Sequence, residues 1–279
     1  MKKFLTLYLF ALLLFSSAAY AQWAEMPTGE IEASPPPPVL TDLQEQDSGE
    51  EAEPDTMGLQ IRRDAIREAA LSYGARGGLA SRTFEIQRRL VEREAALDKI
   101  FDFHRLLIAA PSGLLIEPPV VSEALQAVIV NNGGQEAAVA DRTYRINRAA
   151  RIVTASRDWH LYLERDWGRV DPPPALLLPR EDEEREAWRE WVQEGWNAGL
   201  EQAQETFEAD LDRMTNDFIG MVRYRDLLAQ GMISPPYAMH EDRGITGGGT
   251  EMRVGDRGVS ITGPSVLIPR SDQWTPAQR

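Results

Sequence analysis

The chain has 279 residues, a formal net charge of −14 and no cysteine. Without cysteine there are no disulfides, no thiolate metal sites, no cysteine nucleophile and no lipidation of an N-terminal cysteine. The acidic balance argues against direct nucleic-acid binding, which wants a basic face.

The first 21 residues read as a Sec signal peptide. Two lysines precede an apolar run from Phe4 to Phe15, and small residues end in Ala19-Tyr20-Ala21. That is the order of charged, apolar and cleavage regions. The run is shorter than the roughly 20 residues that span a bilayer. Cleavage after Ala21 leaves an exported, periplasmic chain beginning at Gln22. Residues 22–56 hold "SPPPP" and ten acids with no Lys or Arg. Such a segment buries too little apolar surface to offset its ordering, so a disordered acidic leash is expected. Residues 57–270 are expected as one folded domain and 271–279 as a loose tail.

Within the domain, a first helix is predicted over about Leu59 to Tyr73, stopped by the glycines of "YGARGG". A second runs from about Ser81 to Ile108 on the spacing of Phe84, Leu90, Val91, Leu97, Ile100 and Phe101. Short β-branched "LQAVIV" at 125–130 and the turn signal "NNGG" read as strand and hairpin. "RTYRINRAARIV" at 142–153 alternates as a half-solvated antiparallel strand, with a later part that helix would also fit. A short helix capped by Ser156 carries Trp159, Tyr162, Leu163 and Trp167. "DPPP" at 171–174 ends it. A proline-free run from Glu181 to Gln230 then predicts one long helix, opened by "EDEE" and stopped by Gly231. Unbroken, it is about 75 Å long at about 1.5 Å per residue, and its glycines allow a break. The tail "GITGGGTEMRVGDRGVSITG" reads as glycine turns around two short strands, near Glu251 to Val254 and Val259 to Thr262. The fold class is α+β, mostly α-helical, with small antiparallel β elements.

Little in the chain carries chemistry. His104, His160 and His240 match no short metal motif and fall in different elements. "GITGGGT" lacks the lysine and the strand-to-helix context of a phosphate loop. No serine sits in G-x-S-x-G. Glu186, Glu190 and Glu194 line one helix face, where paired carboxylates could cleave glycans but a solvated face is the plainer account. No catalytic residue, metal site or cofactor is expected.

"WREWVQEGWNAGLEQA" at 189–204 poses a different problem. Interior helix glycines each cost about 1 kcal/mol relative to alanine. On a helical wheel Gly195 and Gly199 fall within about 20° of Trp188, with Trp191 and Trp196 about 60° and 80° away on opposite flanks. The glycines form a bare strip between indole walls, without a nucleophile or acid. Trp188, Trp191, Gly195, Trp196 and Gly199 are therefore packing or interface candidates, either inside the domain or across a subunit boundary.

Five stretches together carry a resemblance: "YGARGGLASR" (73–82), "DRTYRI" (141–146), "WVQEGWNAGLEQA" (191–203), "DFIGMVRYRDLLAQGMISPPY" (217–237) and "GITGGGTEMRVGDRGVSIT" (244–262). They resemble the DotC family, whose members include the TraI protein of IncI-type conjugative plasmids. The resemblance implies a structural component of the outer-membrane-associated core complex of a type IVB secretion or conjugative transfer machine. It implies DotD-like and DotH-like partners and a role in bringing the DotH-like subunit to the outer membrane. Family members can be lipoproteins anchored through a cysteine; this chain has Ala21-Gln22 there, so attachment through partners is expected. The competing reading is a periplasmic helical domain that binds or cleaves peptidoglycan. A buried or cleft-lining acid with a second carboxylate beside it would favour that alternative.

Overall fold

In a computed structural model, residues 35–48, 59–110, 113–131 and 136–276 are described. The expected signal peptide and most of the expected leash lie outside them. The chain divides into two units, Met1–Pro37 and Pro38–Arg279, and every described helix and strand lies in the second.

Its elements are α1 (Leu40–Gln44), α2 (Leu59–Glu92), α3 (Glu94–Ile100), β1 (Ile108–Ala109), β2 (Leu115–Glu117), β3 (Val120–Asn131), β4 (Glu136–Arg148), β5 (Arg151–Val153), α4 (His160–Leu163), α5 (Asp182–Ala229), β6 (Tyr237–Gly248) and β7 (Glu251–Gly263). The class is the expected one, mostly helical α+β with antiparallel strands. Among the described residues the strands form three separate sheets: β1-β2-β5, the ribbon β3–β4 and the ribbon β6–β7. All pair antiparallel.

The long C-terminal-half helix is present and unbroken, 48 residues in all. It ends where expected. Gly231 takes a φ of 74°, its amide donates to the Leu228 carbonyl and the Met232 amide reaches Leu227. This is a Schellman stop, which a left-handed glycine permits without a Cβ clash. Apolar clusters are strung along α5. Trp188 and Val192 meet α1 and α2 near its start. Met214 and Met221 meet Phe103, Trp159, Tyr162 and Leu163 in the middle. Tyr224 and Leu227 meet Val121 and Ile233 near its end.

Several expectations need correction. The first two helices are not separated by "YGARGG": α2 runs through it as one helix of 34 residues. Its glycines are buried against α5, so packing offsets their helix penalty. The second predicted helix instead stops short, at Ile100, and Ile108 is in a strand. The later part of "RTYRINRAARIV" is strand β5 rather than helix. Ser156 does not cap α4; its hydroxyl donates to the Arg157 carbonyl, while Asp158 accepts from the Leu161 amide. Trp167 lies beyond that helix. The two short C-terminal strands are one strand, β7, and "GITGG" belongs to its partner β6.

The expected leash is also ordered in part. Residues 40–44 form α1, and Leu43 is fully buried. It packs on Gly77 and Trp196, and its carbonyl accepts the Trp188 indole N–H at 3.0 Å. Leu40 packs beside it, the Gln44 side-chain amide donates to the Arg189 carbonyl and the Ser48 amide to the Pro179 carbonyl, so a proline-rich, acidic segment is docked on the domain. The expected tail is likewise engaged over its described part. Trp274 donates to the Ile268 carbonyl, and the Thr275 main chain lies against Gly231.

Candidate functional site

The glycine strip on α5 is occupied from within the domain. A β-carbon on Gly195 would overlap the Leu71 carbonyl, and one on Gly199 would overlap the Ala75 carbonyl, both on α2. The reverse holds on α2. A β-carbon on Gly74 would strike the Val192 carbonyl, and one on Gly78 the Trp196 carbonyl. Gly74 and Gly78 are four apart, as are Gly195 and Gly199, so each helix presents a bare step of one turn to the other. The contacts climb together along both helices, which are therefore parallel. Side-chain pairs above and below keep the same offset of 122 residues: Arg62 with Glu184 and Arg82 with Gln204. Of the five predicted residues, Trp188, Gly195, Trp196 and Gly199 are buried in this seam. Trp191 packs at the edge of the same cluster. Sequence reasoning missed Gly74 and Gly78 as the matching half, although their spacing repeats that of Gly195 and Gly199.

A second constellation has no sequence motif. Glu117 on β2 is 2% exposed and meets three guanidiniums. Arg151 on β5 donates to it at 2.8 Å, Arg157 lies at 3.1 Å and Arg148 on β4 at 3.3 Å. Arg148 and Arg157 continue to Asp217 on α5, at 3.0 and 3.1 Å. Asp217 also accepts the Tyr162 hydroxyl at 2.7 Å. Burial pushes the Glu117 carboxyl above the usual range, against the pull of Arg157 and Arg148. Burial and the hydrogen bond to Asp217 push the Tyr162 hydroxyl up to about 12. The hub ties β2, β4, β5 and α4 to the middle of α5. Chemically it is two carboxylates clamped by guanidiniums.

Other acids shielded from solvent are held the same way. Glu184 bonds to Arg62; burial alone would raise its carboxyl, but Arg62 and the Arg180 amide hold it below the ordinary range. Asp210 pairs with Arg165 and Arg213, and Glu123 with Arg142 and Arg223. Asp210 borders a cavity of about 240 Å³ between α2 and α5. Glu123 and Asp217 border a larger polar groove at the root of β3. Glu186, Glu190 and Glu194 lie on the outward face of α5. Among the described residues no group of three or more His, Asp or Glu is placed to hold a metal, and no helix is long and apolar enough to cross a membrane.

The remaining feature is the pair of ribbons. Gly220 lets α5 approach the Val120–Val121 backbone, so β3 is seated on the helix at its root. Beyond that root Leu125, Val128 and Val139 are exposed. On β6–β7, Tyr237, Met239, Ile245, Met252 and Val254 are each more than half exposed.

Comparison with known proteins places the chain in a family. No curated protein matches the chain. The family described as type IV secretory system, conjugal DNA-protein transfer matches residues 60–276, from the start of α2 to beyond the last strand. That span covers most of the chain and agrees with the resemblance to the TraI proteins of conjugative plasmids. The chain belongs to this conjugal-transfer family of the type IV secretory system.

Proposed function

We propose that this protein is a structural subunit of the outer-membrane-associated core complex of a type IVB secretion or conjugative transfer machine. In this reading it resides in the periplasm, works beside DotD-like and DotH-like partners and helps the DotH-like subunit reach the outer membrane. The observation that supports it most is the family match over 60–276. The architecture is consistent with a scaffold. Two parallel helices are locked backbone to backbone, and apolar side chains are displayed on two ribbons. Against the peptidoglycan-cleaving alternative stand the arginines. Buried Glu117 with the half-buried Asp217 close by is the arrangement that alternative looks for, and both acids are bonded to arginine.

The test is a gene deletion in the organism that carries the machine. The expected outcome is loss of conjugal transfer, with the DotH-like protein depleted from outer-membrane fractions. The purified chain should release no muropeptides from peptidoglycan. Release that disappears in Glu117→Gln, with transfer intact in the deletion strain, would replace this reading with the hydrolytic one.

A further inference from the structure

Just beyond the glycine seam the two long helices part. Gly78 of α2 and Gly199 of α5 are in backbone contact, and the residues that follow on each helix line a cavity of about 240 Å³. Leu79, Ile86, Leu163, Ala203 and Phe207 give it an apolar wall. Gln87 is the polar exception in its depth. It is 4% exposed, and its amide nitrogen donates to the Leu163 carbonyl at 2.8 Å. Its amide oxygen accepts no hydrogen bond from any described residue, yet it is not sealed in protein. Because Gln87 lines the cavity, that is where the oxygen opens. A buried acceptor without a donor is costly, so the site asks for a donor at this point.

We propose that this cavity is a binding site for a neutral aromatic ring carrying one hydrogen-bond donor, an indole or a phenol, with the donor on the Gln87 oxygen. The volume falls below the roughly 300–1,000 Å³ of pockets for drug-sized ligands, so it suits one or two fused rings. Two helices that touch just before the cavity bound a wedge, and a flat ring fills a wedge with the least loss of contact. Phe207 offers that ring an aromatic neighbour. A charged ligand finds no counter-ion there. Asp210 is already bonded to Arg165 and Arg213, and Asp166 accepts from the Gly168 amide. Besides Gln87, the uncharged polar groups are Thr83, Thr206 and the exposed Gln202. A sugar brings more hydroxyls than these can satisfy out of water. The chain handles its own indoles in the same way: the Trp159 N–H donates to Asp98 at 2.7 Å and the Trp188 N–H to the Leu43 carbonyl at 3.0 Å. A Trp or Tyr side chain of a partner chain and a free small aromatic share this chemistry. The inference rests on the cavity and not on the proposed function.

The probes are indole and benzofuran, the same ring system with an oxygen in place of the N–H. Each is titrated into the full-length protein and followed by ligand-observed NMR. Indole should saturate at about millimolar concentration, as a ligand this small allows. Benzofuran should bind at least about tenfold more weakly, because it leaves the Gln87 oxygen unpaired. Equal affinities, or no saturation by indole, would overturn the proposal without any variant. Ala203→Leu and Thr206→Phe fill the cavity from two positions, and each should abolish indole binding. Undiminished binding in either variant, with its melt showing it folded, would place indole elsewhere and overturn the site. p-Benzoylphenylalanine at the exposed position 202 then separates the sources in host cells. A light-induced adduct with another protein supports the site and assigns the ring to a partner chain. A small aromatic that co-purifies with the chain, without an adduct, supports it and assigns the ring to a free molecule. Neither result would mean that indole binds as an adventitious additive only, and would overturn the proposal.

Discussion

Gly199 of α5 lies so close to Ala75 of α2 that a β-carbon on it would overlap the Ala75 carbonyl oxygen and come within 2.7 Å of the Leu79 amide nitrogen. The obstacle is main chain within a helix, which has no rotamer to yield. Gly199→Ala and Gly195→Ala should therefore destabilise the protein by about 1–3 kcal/mol or more through overpacking. On an open helix face the same change would stabilise by up to about 1 kcal/mol. Thermal melts of the full chain decide the sign. A rise in melting temperature for both variants would mean that the helices are not in backbone contact at this seam.

The docking of α1 makes the N-terminal stretch part of the fold. Leu43→Ala should cost about 2–5 kcal/mol, the range for a buried leucine whose site cannot fully collapse. Truncation through residue 48 should lower the melting temperature comparably, whereas truncation through residue 34 should not. Identical melts for the two truncations would show that α1 adds nothing.

Glu117 is shared by Arg148, Arg151 and Arg157. Glu117→Gln keeps the shape but strips the charge that three guanidiniums face. Removing one partner from a buried ionic cluster costs about 3–5 kcal/mol, and the C-terminal end of β2 should loosen first. Denaturant melts, with hydrogen exchange at β2 and β5, check this. A stability loss with unchanged exchange there would place the damage elsewhere.

Tyr162 predicts the alkaline limit. Its hydroxyl is pushed up to about 12 from an ordinary 10, so the folded state favours the protonated phenol. The resulting stability is fully present below pH 10 and is lost as pH rises towards 12. At about 1.4 kcal/mol per pKa unit the swing is about 2–3 kcal/mol. Tyr73 and Tyr224 are raised by burial in the same direction. The informative quantity is thus the difference between wild type and Tyr162→Phe. The variant should lose less stability between pH 10 and 12, and equal slopes would contradict the assignment.

Local patterns in the sequence specified a good deal. The proline-free run and the glycine at 231 set α5 because helix continuation and its Schellman stop are properties of neighbouring residues. Alternation over 142–153 announced antiparallel strand for the same reason, though not its division between the end of β4 and β5. The bare strip at Gly195 and Gly199 was visible on a wheel, since its cost is local.

What filled that strip was decided only by tertiary structure. Gly74 and Gly78 read as a helix stop because glycine is a poor helix former. The backbone contact that outweighs this cost comes from a segment about 120 residues away, which no local window contains. Leu43 was equally silent. Its window is acidic and proline-rich, and two leucines on a helix of five residues are too few to show a periodicity. The hub joins Glu117, Arg148 and Asp217 across 100 residues. Charged residues on strands and helices read as solvent-facing until a fold encloses them, because charge becomes a packing element only where burial makes an unpaired ion costly.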